Sequence, residues 1–178
     1  VKDTLRAAPA AACFSLSDAA LSATLPRMNA DTTINIRPLR AEDRPEWAEM
    51  WTEYLQFYET GVADAVYDST FARLLGGDPR DFSALVAERN GRLVGLTHYL
   101  FHRHAWKIEE VCYLQDLYAR PEARGAGVGR ALIEAVYAAA DAQGAPTVYW
   151  LTQDFNETAR KLYDRIANLT PFIKYQRP

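Results

Sequence analysis

The stretch from Val111 to Thr152 constrains this chain more than any other. Val111 to Ala119 reads as a strand, Arg124-Gly125-Ala126-Gly127-Val128-Gly129-Arg130 as a tight loop, Gly127 to Gln143 as a helix and Thr147 to Thr152 as the next strand. Val128, Ala131, Leu132, Ala135, Val136 and Ala139 keep helical register, and Gly144 with Pro146 stops the helix. A strand-helix-strand crossover of this kind joins parallel strands of one sheet and lays the helix on its face. Upstream, Thr33 to Arg37 alternates as a half-buried strand and Pro38 ends it. From Ala41 to Glu59, Trp47, Met50, Trp51, Tyr54, Leu55 and Tyr58 recur at helical spacing, an apolar stripe expected to be core. A second helix, Asp64 to Leu75, is closed by Gly76 and Gly77. Phe82 to Arg89 and Leu93 to Phe101 flank Asn90-Gly91, whose residue types supply the positive φ angles of a type I′ hairpin turn. Glu157 to Ala167 reads as the last helix and Pro171 to Gln176 as a short last strand. The expected class is α/β with a mixed sheet: a hairpin in the first half and a strand-helix-strand crossover in the second.

The 178 residues suit one domain, since single cores typically serve roughly 100 to 200 residues. Residues 1–27, rich in Ala and Ser and without a sustained period, read as an extension preceding a domain of residues 28–178. A net charge of -3 argues against nucleic acid as a partner, because phosphate neutralisation calls for a basic excess. No apolar run approaches the ~18 to 20 residues that cross a bilayer, so no membrane span is expected. Cys13 and Cys112 match neither a disulfide framework nor a zinc spacing; a reducing, cytoplasmic setting and no metal follow as expectations. Charge is uneven: between Ala41 and Asp81, ten acidic residues face three arginines, a local sum of -7. Such a block either steers a cation or forms a solvated helix face.

The chemistry is carried by the loop from Arg124 to Arg130. Closely spaced glycines let the backbone approach a ligand, and the helix that follows offers unpaired N–H groups and a positive dipole end, a natural site for phosphate. Two familiar phosphate loops fail on residues. A dinucleotide fingerprint counted from Gly125 meets Arg130 at its third glycine, and counted from Gly127 meets Leu132; the P-loop lacks both its glycine spacing and its Lys-Ser or Lys-Thr pair. Arg124, Gly127 and Gly129 do fit Gln/Arg-x-x-Gly-x-Gly/Ala, the pyrophosphate loop of the GCN5-related N-acetyltransferases (GNAT). Around it, Tyr113-Leu114-Gln115-Asp116-Leu117-Tyr118-Ala119 before Pro121-Glu122 resembles that family's fourth strand, and Val148-Tyr149-Trp150 its fifth. Asn156-Glu157-Thr158-Ala159-Arg160-Lys161-Leu162-Tyr163 resembles its Asn-x-x-Ala-x-x-Leu-Tyr helix. Trp51-x-x-Tyr54-Leu55-x-Phe57-Tyr58 and Gly144 to Trp150 look most like the histone and polyamine acetyltransferase branch.

The resemblance implies an α/β GNAT fold, a mixed, mostly antiparallel central sheet of six to seven strands flanked by about four helices. It also implies direct transfer of an acetyl group from acetyl-CoA, as cosubstrate, to the primary amine of a small cationic acceptor: a polyamine, an amino acid or an aminoglycoside-like compound. A protein lysine is the alternative acceptor, and a non-catalytic acyl-CoA sensor the rival from another class. It further implies that backbone N–H groups of Gly125, Ala126, Gly127, Val128, Gly129 and Arg130 hold the pyrophosphate, with the Arg124 and Arg130 side chains free to add charge. Pantetheine would lie along Leu117, Tyr118 and Ala119 like an added strand, with the Leu117 N–H, at a bulge, polarising the thioester carbonyl. Asn156 would bond a pantetheine amide; its other reading is the N-cap of the last helix. Tyr163 would protonate the departing thiolate, against the reading of a core tyrosine.

The general base is open. Polyamine acetyltransferases often carry Glu one position before the Asp of the fourth strand; here that residue is Gln115, which cannot take a proton. Asp116 is the nearest carboxylate and the candidate, set against strand alternation that can turn it from the cleft. Tyr113, His98 and Trp150 are candidates for lining the amine site, with His98 expected to be packed or half-exposed. A homodimer or higher homo-oligomer is expected, with Phe172 to Tyr175 able to pair across subunits.

Overall fold

The computed structural model describes residues 33–177; the 1–27 extension lies outside them. Five strands, β1 Asn35–Pro38, β2 Ser83–Arg89, β3 Arg92–His102, β4 Val111–Ala119 and β5 Thr147–Tyr149, form one sheet in sequence order. β1 to β4 pair antiparallel and β5 joins β4 parallel, which makes the sheet mixed and mostly antiparallel. The helices are α1 Arg44–Phe57, α2 Asp64–Gly76, α3 Val128–Ala142 and α4 Glu157–Ile166.

The hairpin turn is the expected one: Asn90 and Gly91 have φ of 55° and 72°. α1 and α2 cover one face of the sheet, where Trp47, Met50, Trp51 and Phe71 pack on Val86, Leu93 and Leu96. α3 covers the other, with Val128, Leu132, Ile133 and Val136 fully buried. Gly95 on β3 allows that packing: a Cβ there would stand 2.7 Å from Val128 Cγ1 and 2.9 Å from the Tyr118 carbonyl oxygen. It therefore sets how closely the start of α3 meets the sheet.

Two expectations about strands need correction. Among the described residues the sheet has five strands rather than six to seven, because residues 171–176 pair with nothing and β5 ends at Tyr149 rather than Thr152. An alternating apolar run becomes a strand only where another edge accepts its backbone. Phe172, Ile173 and Tyr175 are instead 80%, 75% and 87% exposed. The bulge of β4 also lies elsewhere. His98 pairs with Asp116 and Tyr99 with Leu114, so the extra residue is Gln115, two positions before Leu117.

Among the described residues no helix is long and apolar enough to cross a membrane.

Candidate active site

The bulge decides which side chains meet. In an unbroken strand Leu114 and Asp116 would share a face; with Gln115 inserted, Leu114 packs in the α3 layer while Asp116 turns toward α1. β4 pairs with β5 only at Val111, Cys112 and Tyr113. Beyond Tyr113 the two strands part, and among the described residues no strand lies beside Leu117, Tyr118 and Ala119 on the edge of β4 away from β3.

That opening leads to the glycine loop. Gly125 and Gly127 have φ of 76° and 88°, and Gly127 caps α3 in the left-handed region that side chains rarely adopt. The first helical bond runs from the Ala131 N–H to the Gly127 carbonyl at 2.9 Å, so the N–H groups from Gly127 to Arg130 precede the helix ladder. A Cβ on Gly125 or Gly127 would meet no atom within 4 Å, so the space before the loop is open. A free strand edge ending at exposed helix donors fits the extended pantetheine and the pyrophosphate of a CoA thioester.

The two loop arginines are not free. Arg124 Nε donates to the Ala119 carbonyl at 3.3 Å, closing over the end of β4, and Arg130 pairs with Glu134 one turn on at 2.7 Å. Both contacts are exposed and of the kind worth ~1 kcal/mol or less, so a bound phosphate can displace them.

Asn156 is the N-cap of α4: its Oδ1 accepts from the Ala159 N–H at 3.4 Å while its Nδ2 donates to Thr152 Oγ1 at 3.3 Å. Seven residues on, Tyr163 packs edge-to-face on Trp150, ring centroids 5.2 Å apart. Burial pushes its hydroxyl up to about 12, with a further push from Tyr58. Trp150 itself belongs to the α3 and α4 layer.

Asp116 is only 8% exposed, and its Oδ2 lies 2.8 Å from His98 Nδ1. Around it stand tyrosines. Burial first and Asp116 next raise the Tyr54 hydroxyl; burial and Asp116 raise Tyr58, opposed by Tyr54; burial, Tyr149 and Asp116 raise Tyr113. Tyr113 also stacks on Tyr149 at 5.0 Å. The aromatic stripe of α1 therefore divides: Trp47, Met50 and Trp51 are core as expected, while Tyr54 and Tyr58 border a carboxylate. His98, 2% exposed, is packed.

The acidic block is largely spent on the fold. Asp43 pairs with Arg37, Glu49 and Glu53 with Arg120, Asp68 with Arg44, Asp78 with Arg80 and Asp81 with Arg73, and Glu46 accepts from the Leu93 N–H. Arg120 is itself buried and also donates to the Leu93 carbonyl, while the Tyr118 hydroxyl donates to Glu53 at 2.8 Å. These contacts tie α1 to β4. They also leave less free negative charge to steer a cation than the bare count suggests.

Residues 40–167 match the model of the Acetyltransferase (GNAT) family. The chain belongs to this family. It is a GNAT enzyme, an N-acetyltransferase that uses acetyl-CoA. It is 37% identical over 153 residues to the D-amino-acid N-acetyltransferase HPA3 of Saccharomyces cerevisiae, covering 85% of this chain and 95% of that protein. Similarity to the thialysine N-epsilon-acetyltransferase of Bos taurus is 35% over 75 residues, 42% of this chain and 44% of that one. The solved structure of the aminoglycoside N-acetyltransferase AAC(6')-Iy with CoA shares the fold, with TM-score 0.71 and 17% identity over 82% of this chain and 95% of that one. Among the described residues no group of three or more His, Cys, Asp or Glu is placed to hold a metal ion.

Sequence reasoning missed the Asp116 to His98 contact and the place of Tyr54 and Tyr58. The signal available was weak: two apolar-stripe tyrosines and a lone strand histidine, each more often core.

Proposed function

We propose that this GNAT enzyme acetylates the primary amine of a small cationic acceptor and, within that class, the α-amine of a free amino acid. The observation that carries the class of acceptor is the grouping near the parting of β4 and β5, where the buried carboxylate of Asp116 stands among Tyr54, Tyr58 and Tyr113. One carboxylate suits an acceptor with one reacting ammonium better than a polycation, and most of the neighbouring acidic block is held by arginines. The near full-length likeness to a D-amino-acid acetyltransferase supports the amino acid over a polyamine or an aminoglycoside.

Acetyl-CoA supplies the acetyl group as a thioester. The N–H groups of residues 125–130 hold its pyrophosphate, with Arg124 and Arg130 swinging from their present partners to add charge, and the open edge of β4 at Leu117 to Ala119 holds pantetheine with help from Asn156. The Leu117 N–H polarises the thioester carbonyl. Asp116 takes the proton that the acceptor amine, with an ordinary pKa near ~10, must lose before attack. Tyr163, kept protonated by burial, supplies a proton to the departing sulfur.

Thiol release from acetyl-CoA, measured against amino acids of both hands, polyamines, aminoglycosides and a histone-tail peptide, tests the acceptor. The largest kcat/KM is expected with a free amino acid. Preference for a polyamine or an aminoglycoside would overturn that choice, and preference for the peptide would move the acceptor to protein lysine.

The working form is a homodimer in the cytoplasm. Among the described residues β5 is an edge strand with only β4 beside it, and the residues after α4 expose Phe172, Ile173 and Tyr175, an apolar run that strand pairing with a second copy would cover. Cys112 is a buried free thiol, pushed up to about 11 by burial and so held protonated, as a reducing compartment permits. Sedimentation at micromolar concentration should show a dimer for the full chain and a monomer after truncation at Thr170. A monomeric full chain would end the dimer reading.

A further inference from the structure

His98 is 2% exposed and lies outside the glycine loop, yet both of its ring nitrogens are engaged. The Trp47 indole Nε1–H donates to His98 Nε2 at 2.9 Å, and His98 Nδ1 lies 2.8 Å from Asp116 Oδ2. An indole nitrogen can only donate, so Nε2 must be the acceptor nitrogen and the ring proton must sit on Nδ1, pointing at the carboxylate. A second proton on the ring would set Nε2–H against the indole N–H inside a closed aromatic box. Trp47 and Trp51 both have ring centroids 6.0 Å from the imidazole, and all three residues are buried. The backbone holds the other end: Thr97 Oγ1 donates to the Asp116 carbonyl at 2.9 Å, next to the bulge that turned Asp116 toward α1.

We propose that His98 is a positioning residue, locked by Trp47 as the neutral Nδ1–H tautomer, which holds Asp116 by Oδ2 and so orients the carboxylate that receives the acceptor's proton. This rests on the reading of Asp116 as the base. A neutral donor is the suitable partner for that task. It orients the carboxylate without the full opposing charge that an arginine would bring. The groups facing Asp116 are His98 from β3, Tyr54 and Tyr58 from α1 and Tyr113 from β4 itself. The guanidinium of Arg120 is held instead by Glu49 and Glu53 of α1.

Nitrogen NMR of the 15N-labelled full-length enzyme reads the tautomer directly. His98 is expected to show a protonated Nδ1 and an unprotonated Nε2, as its contacts with Asp116 and Trp47 require. An imidazolium or the Nε2–H tautomer in the folded enzyme would overturn the proposal without reference to activity. In kinetics, His98→Phe should lower kcat roughly 10- to 100-fold, the size that loss of an orienting partner has in other sites, with KM for acetyl-CoA kept. His98→Asn, whose Nδ2–H can stand where Nδ1–H stood, should recover most of the rate. A folded His98→Phe enzyme with unchanged kcat, or His98→Asn as impaired as His98→Phe, would refute the positioning role. Asp116→Asn separates the two readings: full activity there removes Asp116 as the base, whereas loss of activity there with a normal His98→Phe enzyme removes only the role of His98.

Discussion

Gly127→Glu should weaken acetyl-CoA binding by about 100-fold or more in calorimetry, which corresponds to ~3 kcal/mol. Two effects combine. Gly127 holds φ at 88°, and a side chain in the left-handed region typically costs ~1 to 2 kcal/mol. The added carboxylate would also stand before the N–H groups of residues 127–130, where the pyrophosphate needs room, and like charges set together cost several kcal/mol by typical estimates. The fold should survive, because a Cβ at this position meets nothing within 4 Å. An unchanged circular-dichroism spectrum with lost binding is the expected pair of results, and Gly127→Ala should show only the smaller backbone effect. Wild-type affinity in Gly127→Glu would refute the loop as the pyrophosphate site.

Tyr163→Phe should lower kcat by about 10² to 10⁴, the usual range for a positioned general acid, with acetyl-CoA affinity nearly kept. The substitution removes one hydroxyl and leaves the ring against Trp150, so little packing is lost. Unchanged turnover would sink the assignment. The pH dependence follows from the sign of the shift. The useful form of Tyr163 is protonated, and burial raises its hydroxyl to about 12, so kcat should show no alkaline fall from this residue until the pH nears that value. An alkaline limb near the ordinary tyrosine value of ~10 that disappears in Tyr163→Phe would show that the hydroxyl is not shielded as the structure has it.

The elements legible in the sequence were those whose signals are local. Asn90-Gly91 specifies its turn through residues that tolerate positive φ, the period of residues 128–139 specifies α3, and Gly77 stops α2 in the left-handed conformation at 70°. The glycine loop was legible for the same reason, as was the capping side of Asn156. The last strand was not, because Pro171 to Gln176 has strand-like alternation but finds no neighbouring edge among the described residues. The loop arginines were placed correctly along the chain and wrongly in their contacts, since Glu134 and the Ala119 carbonyl compete for them.

By itself the sequence determined the order of elements, the family and the position of the glycine loop, because each depends on residues close together along the chain. Tertiary structure alone decided the surroundings of Asp116. Gln115 is an ordinary strand residue until the pairing of β3 with β4 makes it the extra one, and that single insertion rotates Asp116 from the α3 face to α1. His98 and Trp47, 51 positions apart, become one hydrogen-bonded unit only once α1 lies across β3. Arg120 likewise cancels Glu49 and Glu53 only when α1 packs against β4, so a charge count along the chain overstated the free charge of the folded surface. Periodicity reports which face a side chain takes within its own element; the partner it meets there depends on register and packing between elements distant in sequence.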